Sequence, residues 1–153
     1  MITRTWLLLI AGSVIAACAV SSDPGTGSTP ASDSHGMVVG FVRDTAGRGV
    51  SNAKVCATAL LNANGTPLIL VNRATTKASG AYEIPFDFGV NVDVRAGLTV
   101  AATPSVASGL APALRSGLTL LIAATPPPAE TTHADVQVPK GAPYDGVFCA
   151  YGP

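Results

Sequence analysis

The side chains of this sequence with the most predictable chemistry are its three cysteines, Cys18, Cys56 and Cys149. A thiol can accept a lipid, form a disulfide or act as a nucleophile. Nucleophilic catalysis needs a basic partner, but the two histidines, His35 and His133, lie in no metal-ligand or catalytic motif. No Gly-x-Ser-x-Gly nucleophile motif occurs either. The sequence therefore predicts a non-enzymatic protein with no catalytic residues, no metal site and no cofactor.

The first seventeen residues have the composition of an export signal. Arg4 is their one charged side chain, and residues 6–17 form an uncharged, mostly apolar run of twelve residues. A positive charge followed by a short apolar run is typical of a secretory signal. The run is shorter than the roughly 20 residues that a transmembrane helix needs. We therefore expect the protein to be exported.

The apolar run ends in the motif Ile15-Ala16-Ala17-Cys18, which resembles the lipobox of bacterial lipoproteins. The resemblance implies that the Cys18 thiol receives a diacylglycerol and that the signal peptide, residues 1–17, is cut off before it. Lipid on Cys18 would anchor the protein to a membrane of the bacterial cell envelope. Ala19 stands where some lipoproteins carry an inner-membrane retention Asp, which favours the outer membrane or the cell surface. The alternative is an ordinary secretory signal that happens to end at a cysteine.

Residues 18–36 comprise this cysteine and a segment rich in Ser, Gly, Thr and Pro. Such a segment cannot bury enough apolar surface to offset the entropy of ordering, so we expect a flexible tether. It would either lift the following domain off the membrane or be a tolerated disordered terminus.

The charge balance excludes a nucleic-acid partner. Nine basic side chains face nine acidic ones, and removal of residues 1–17 takes away Arg4 alone. The mature chain would thus carry a net charge near −1, too small to attract phosphate backbones.

From residue 37 onward, short apolar stretches alternate with turn residues, which predicts one all-β domain over residues 37–153. We expect loops at residues 86–90 and 103–116 and a stiff proline-rich link at residues 125–130. The predicted strands and extended segments are 37–43, 53–61, 67–76, 81–85, 91–96, 98–102, 117–124, 134–138 and 144–151. This spacing favours a β-sandwich of about seven strands.

Two ordered runs of residues within 40–97 resemble the carboxypeptidase regulatory-like domain. The first consists of Gly40, Val42, Asp44, Gly47, Val50, Ala53 and Val55, and the second of Thr75, Thr76, Ser79, Gly80, Tyr82, Ile84 and Pro85. The resemblance implies a small transthyretin-like or Ig-like β-sandwich, in a family whose members are usually non-catalytic surface modules. In physical terms, Asp44 can accept hydrogen bonds from turn amides, and Tyr82 and Ile84 share one strand face.

If lipid occupies Cys18, then Cys56 and Cys149 remain as the two thiols of an exported domain, and we expect them to form a disulfide. Unpaired thiols and an intermolecular bridge are the alternatives. With Val55 and Ala57 facing inward, Cys56 faces outward, so the bridge would fasten the C-terminal segment over the outer face of its sheet, or at an edge, rather than through the centre of the sandwich. Three aromatic side chains of that segment would cover this face: Tyr144, Phe148 and Tyr151.

The leading functional hypothesis is a membrane-anchored, non-catalytic module that supports binding or assembly at the envelope, with an envelope protein or a glycan as partner. The alternative is a small extracytoplasmic binding protein for a hydrophobic or glycan ligand. Its pocket would lie between residues 103–116 and 125–133. A hydrolase is disfavoured by the scarcity of histidines and acidic residues.

Overall fold

The computed structural model describes residues 34–63, 65–88, 93–123 and 131–149. These residues form eight β-strands and one short 3-10 turn, and none of them lies in an α-helix. The strands are β1 (Ser34–Asp44), β2 (Lys54–Ala63), β3 (Thr66–Thr75), β4 (Ala81–Phe88), β5 (Val94–Thr103), β6 (Ala113–Ile122), β7 (Thr131–His133) and β8 (Val136–Val138).

The strands make two facing sheets. In the first sheet β1 is central, with β4 antiparallel on one side and β7 and β8 parallel on the other. The second sheet has the antiparallel order β3-β2-β5-β6. The prediction of a small all-β sandwich is confirmed, with eight strands in the described residues rather than about seven.

The core lies between the sheets and consists mainly of alternate residues of β1, β2, β4, β5, β6 and β8. The second sheet contributes Val55, Ala57 and Ala59 from β2, all fully buried, and the first contributes Tyr82 and Ile84 from β4. The expected inward orientation of Tyr82 and Ile84 is thus confirmed, while Glu83 between them is exposed. Each fully buried large apolar side chain contributes roughly 1.5–3 kcal/mol to folding.

The turn after β1 forms as the sequence predicts. Asp44 Oδ1 accepts hydrogen bonds from the backbone amides of Ala46 and Arg48, both at 2.9 Å. The Arg48 guanidinium also lies 2.7 Å from Asp44 Oδ2. These donors, first of all the Arg48 amide and side chain, lower the pKa of the Asp44 carboxyl. Gly47 completes the turn with a φ of 79°.

The predicted strand and loop boundaries differ from the structure because pairing between strands extends into parts of the predicted loops 86–90 and 103–116. β4 continues through Pro85 to Phe88, since it is an edge strand, where the missing proline N–H costs no ladder bond. β5 is continuous through Gly97, although the sequence suggested two strands there. Residues 113–116 belong to β6 rather than to a loop. Their register with β5 shifts between Leu98 and Val100, and Gly117 has a φ of 74° there, as at a bulge.

Two further boundaries differ at the first sheet. β1 begins at Ser34, so His35 and Gly36, which were expected in the tether, pair with Asp87 and Phe86. The predicted strand 134–138 is replaced by β7 and β8, which flank a break at residues 134–135.

The break between β7 and β8 is fixed by a buried tyrosine. The Tyr82 hydroxyl donates a hydrogen bond to the Ala134 carbonyl, and burial raises the pKa of Tyr82 well above its ordinary value. Gly40 is required opposite, because a Cβ there would lie 2.2 Å from the Ala134 oxygen.

Candidate functional site

The sandwich has two ends that differ in what they carry. At one end β1 begins at Ser34 beside Phe88, and His35 bridges to Ala123 after β6. We call this the entry end, because residues 1–33 precede it in the chain. β2 ends near it and begins at the opposite, distal end, where Lys54 pairs with Thr103. Ten residues of strand span roughly 30 Å, which is the separation of the two ends.

A disulfide fastens the C-terminal segment to the distal part of the second sheet. Cys56 and Cys149 are bonded, with their Cα atoms 5.5 Å apart. Cys56 lies on the outer face of β2 and is only 1% exposed, and the Phe148 amide donates a 3.0 Å hydrogen bond to Thr103 Oγ1. The predicted pairing is confirmed, and of the two predicted positions the structure has the outer face rather than an edge, because β2 lies between β3 and β5. We call residues 144–149 the strap.

The strap presents a tyrosine ring whose position is fixed. Tyr144 and Phe148 make an edge-to-face contact with ring centroids 6.4 Å apart. A Cβ at Gly146 would lie 2.7 Å from the Tyr144 ring, so the absence of a side chain there lets the ring lie against the backbone. Tyr144 is nevertheless 47% exposed. Of the predicted aromatic patch, Tyr144 and Phe148 therefore come together, and Tyr151 lies outside the described residues.

A cavity of about 200 Å³ lies beside the strap at the distal end. We call it the strap cavity, and its lining includes Asn52, Lys54, Ser105, Val106, Tyr144 and Asp145. Asn52 has a φ of 54°, in the left-handed region that asparagine tolerates better than most residues. On the other side of Lys54 a second, more open cavity of about 280 Å³ reaches Arg73 and Val147.

The strap cavity combines one cation and one anion that are not paired with each other. The ion pairs that the structure describes lie elsewhere, at His35–Asp87, Asp44–Arg48 and Lys77–Glu83. The Lys54 ammonium and the Asp145 carboxylate are thus both available to a bound molecule, together with the Asn52 amide and the Ser105 hydroxyl. The site can donate and accept hydrogen bonds beside an aromatic face.

The middle of the second sheet's outer face is uncharged. Thr58 pairs there with Val71 on one side and Thr99 on the other. Two residues further along β2, on the same face, Leu60 pairs with Ile69. Thr58 is buried, and its hydroxyl has no hydrogen-bond partner. Four large apolar side chains of this face are between 37% and 50% exposed, namely Leu60, Ile69, Val71 and Leu114. We call these four residues the apolar patch.

The remaining predicted residues fall outside these sites. Cys18 lies outside the described residues, and His133 is exposed on β7. His35, which was expected in the tether, makes an exposed contact in which its Nδ1 lies 2.8 Å from Asp87 Oδ1. The sequence could not suggest this contact, because the pairing of β1 with β4 joins residues 52 positions apart. Within the described ranges, no three histidine, cysteine or acidic side chains cluster as metal ligands.

Comparisons with known proteins add no family. No protein-family model matches the sequence, and no curated protein matches it either. In the parts of the chain that the structure covers, there is also no helix with the length and apolarity needed to cross a bilayer. The resemblances to the lipobox and to the carboxypeptidase regulatory-like domain therefore stay predictions.

Proposed function

We propose that this protein is an exported, lipid-anchored and non-catalytic β-sandwich module that supports binding or assembly at the bacterial cell envelope. The observation that carries the proposal is the disulfide between Cys56 and Cys149. Structural disulfides persist mainly in oxidising, extracytoplasmic compartments. The bond also uses two of the three thiols, which leaves Cys18, at the end of the predicted signal, as the one available for lipid.

The apolar patch supports a role in binding. Its four side chains project from the strap-bearing face, where Leu60, Ile69 and Val71 adjoin one another. Arg73, two residues after Val71 on β3, is the nearest charged side chain along that strand. Contiguous exposed apolar side chains mark interaction surfaces in proteins that otherwise keep such groups inside. The sandwich beneath them is filled with buried apolar residues, so the face is a rigid platform rather than the mouth of a deep pocket.

The anchor is tested by labelling. Cells expressing the wild-type protein, Cys18→Ser or Cys149→Ser are grown with labelled palmitate, and the protein is then isolated. We expect label on the wild type and on Cys149→Ser, which keeps the proposed acceptor thiol, and none on Cys18→Ser. Equal labelling of Cys18→Ser and wild type would refute the lipid anchor.

The binding role is tested by site-specific crosslinking in cells. A photo-crosslinking amino acid replaces Val71 in the apolar patch or, as a control, Phe41, which is equally exposed on the first sheet. We expect a discrete crosslinked product from position 71 and none from position 41. Identical products from both positions, or no product from either, would contradict the proposal.

The strap cavity supports a second candidate, an extracytoplasmic ligand-binding protein. The sequence predicted a pocket between residues 103–116 and 125–133. Ser105 and Val106 from the first range do line the cavity. Residues 125–130 lie outside the described ranges, and residues 131–133 form β7 against β1. Among the residues that the structure describes, the strap supplies the other wall through Tyr144 and Asp145.

A further inference from the structure

We infer that the strap cavity binds a single sugar ring at the end of a glycan. This inference rests on the second proposed function, ligand binding outside the cytoplasm, and names the class of ligand. Its basis is the juxtaposition of one exposed aromatic ring with an amide, a hydroxyl, an ammonium and a carboxylate in a cavity of about 200 Å³.

The Tyr144 ring provides the apolar part of the site. A pyranose has one face of C–H groups, which packs on an aromatic ring, and an equator of hydroxyls. The ring packs edge-to-face with Phe148 and lies against the bare backbone of Gly146, so little freedom is lost when a ligand covers it. Val106, which is half-exposed, extends the apolar lining.

The polar lining suits hydroxyl groups. Each sugar hydroxyl both donates and accepts hydrogen bonds. Lys54 donates, the Asp145 carboxylate accepts, and the Asn52 amide and Ser105 hydroxyl do both. The opposite charges of Lys54 and Asp145 cancel, which matches an uncharged ligand.

An amino acid would also find complementary charges in this cavity, but the exposure of the site disfavours it. Lys54 and Asp145 are both exposed, and ion pairs in such positions contribute little to binding. Hydroxyls lose less hydration free energy than ions on entering a partly wet site. A sugar can therefore use these groups more effectively than a zwitterion can.

Size and position favour a terminal residue of a longer glycan. The cavity is smaller than the roughly 300–1,000 Å³ pockets that enclose drug-sized ligands, so it admits one ring and leaves the remainder in solvent. It also lies at the distal end, roughly 30 Å from the entry end, at which the anchored segment joins the domain. The disulfide holds the strap, and thus Tyr144, against the sheet.

Saturation-transfer NMR on the full-length, oxidised protein in detergent tests this inference. The probes are the methyl glycosides of glucose, galactose, mannose and N-acetylglucosamine, with glycine and glutamate as zwitterions. We expect at least one glycoside to bind the wild type and Tyr144→Phe. Tyr144→Ala should bind it about tenfold more weakly, which corresponds to about 1.4 kcal/mol. Phe41→Ala, which removes an exposed aromatic ring from the first sheet, should bind like wild type.

Other results would overturn the inference. The inference is wrong if no glycoside binds the wild type, or if a glycoside binds Tyr144→Ala as tightly as it binds the wild type. It is also wrong if only the zwitterions bind and their binding is lost in Lys54→Ala. Thermal melting of Tyr144→Ala checks that the variant is folded, and Asp145→Ala provides an independent test of the polar lining. Palmitate labelling and crosslinking through the apolar patch do not depend on sugar binding. Failure of this inference can therefore be distinguished from failure of the anchored module. Binding of the zwitterions alone would overturn the sugar while leaving the ligand-binding function on which the inference rests.

Discussion

Removal of the disulfide by the double substitution Cys56→Ala and Cys149→Ala should destabilise the domain strongly. The two cysteines are 93 positions apart, and the loop between them contains every strand from β3 to β8. A bond that closes so long a loop restricts the unfolded chain far more than the folded one. The chain-entropy relation gives about 4–5 kcal/mol for a loop of this length, as an upper figure.

The non-covalent attachment of the strap is much weaker than the bond. It includes the hydrogen bond from the Phe148 amide to Thr103, which is worth about 1 kcal/mol net. We therefore expect the double variant to lose about 3–5 kcal/mol of unfolding free energy, a large fraction of the 5–15 kcal/mol typical of a domain. The denaturant dependence of that free energy should become steeper, because the uncrosslinked unfolded chain exposes more surface.

The assay is equilibrium unfolding in urea, followed by circular dichroism. Wild-type protein with a reducing agent is the matched control, since it keeps both thiols and lacks only the bond, and it should unfold like the double variant. Hydrogen exchange should show faster exchange at Phe148 while amides of β2 stay protected. A double variant within about 1 kcal/mol of the oxidised wild type, with the same slope, would refute the reasoning.

Four further substitutions probe the sandwich itself. Ile84→Ala should cost about 2–5 kcal/mol in urea unfolding because it empties a fully buried position, whereas Glu83→Ala beside it should change stability by less than about 0.5 kcal/mol. Tyr82→Phe should cost about 1–3 kcal/mol, because the buried Ala134 carbonyl loses its donor; an unchanged midpoint would contradict that bond. Asp44→Asn should destabilise the protein at neutral pH, since the folded state lowers the pKa of Asp44 and so favours its charged form. That difference from wild type should shrink as pH falls below about 4 and through the lowered pKa, and thermal melts across this range would show it.

The candidate sites differ in how far the sequence predicts them. The pairing of Cys56 with Cys149 and its place on the outer face follow from the number of thiols and from strand alternation. The strap cavity does not follow in the same way, because its lining comes from three separated stretches around Asn52, Ser105 and Tyr144. Only the pairing of β2 with β5, together with the disulfide, brings these stretches to one end of the sandwich.

Local patterns alone determined the fold class and the inward faces of the strands. Alternation places Tyr82 and Ile84 inside, and the Asp44 turn forms from contacts within five residues, so neither depends on distant parts of the chain. Strand ends and edges were decided by tertiary structure. Phe86 and Phe88 extend β4 past Pro85 because an edge position tolerates the missing amide and the core accepts both rings. β7 lies parallel to β1 because strand pairing is a long-range choice, and hydrogen bonds between distant segments leave no local signal in the sequence.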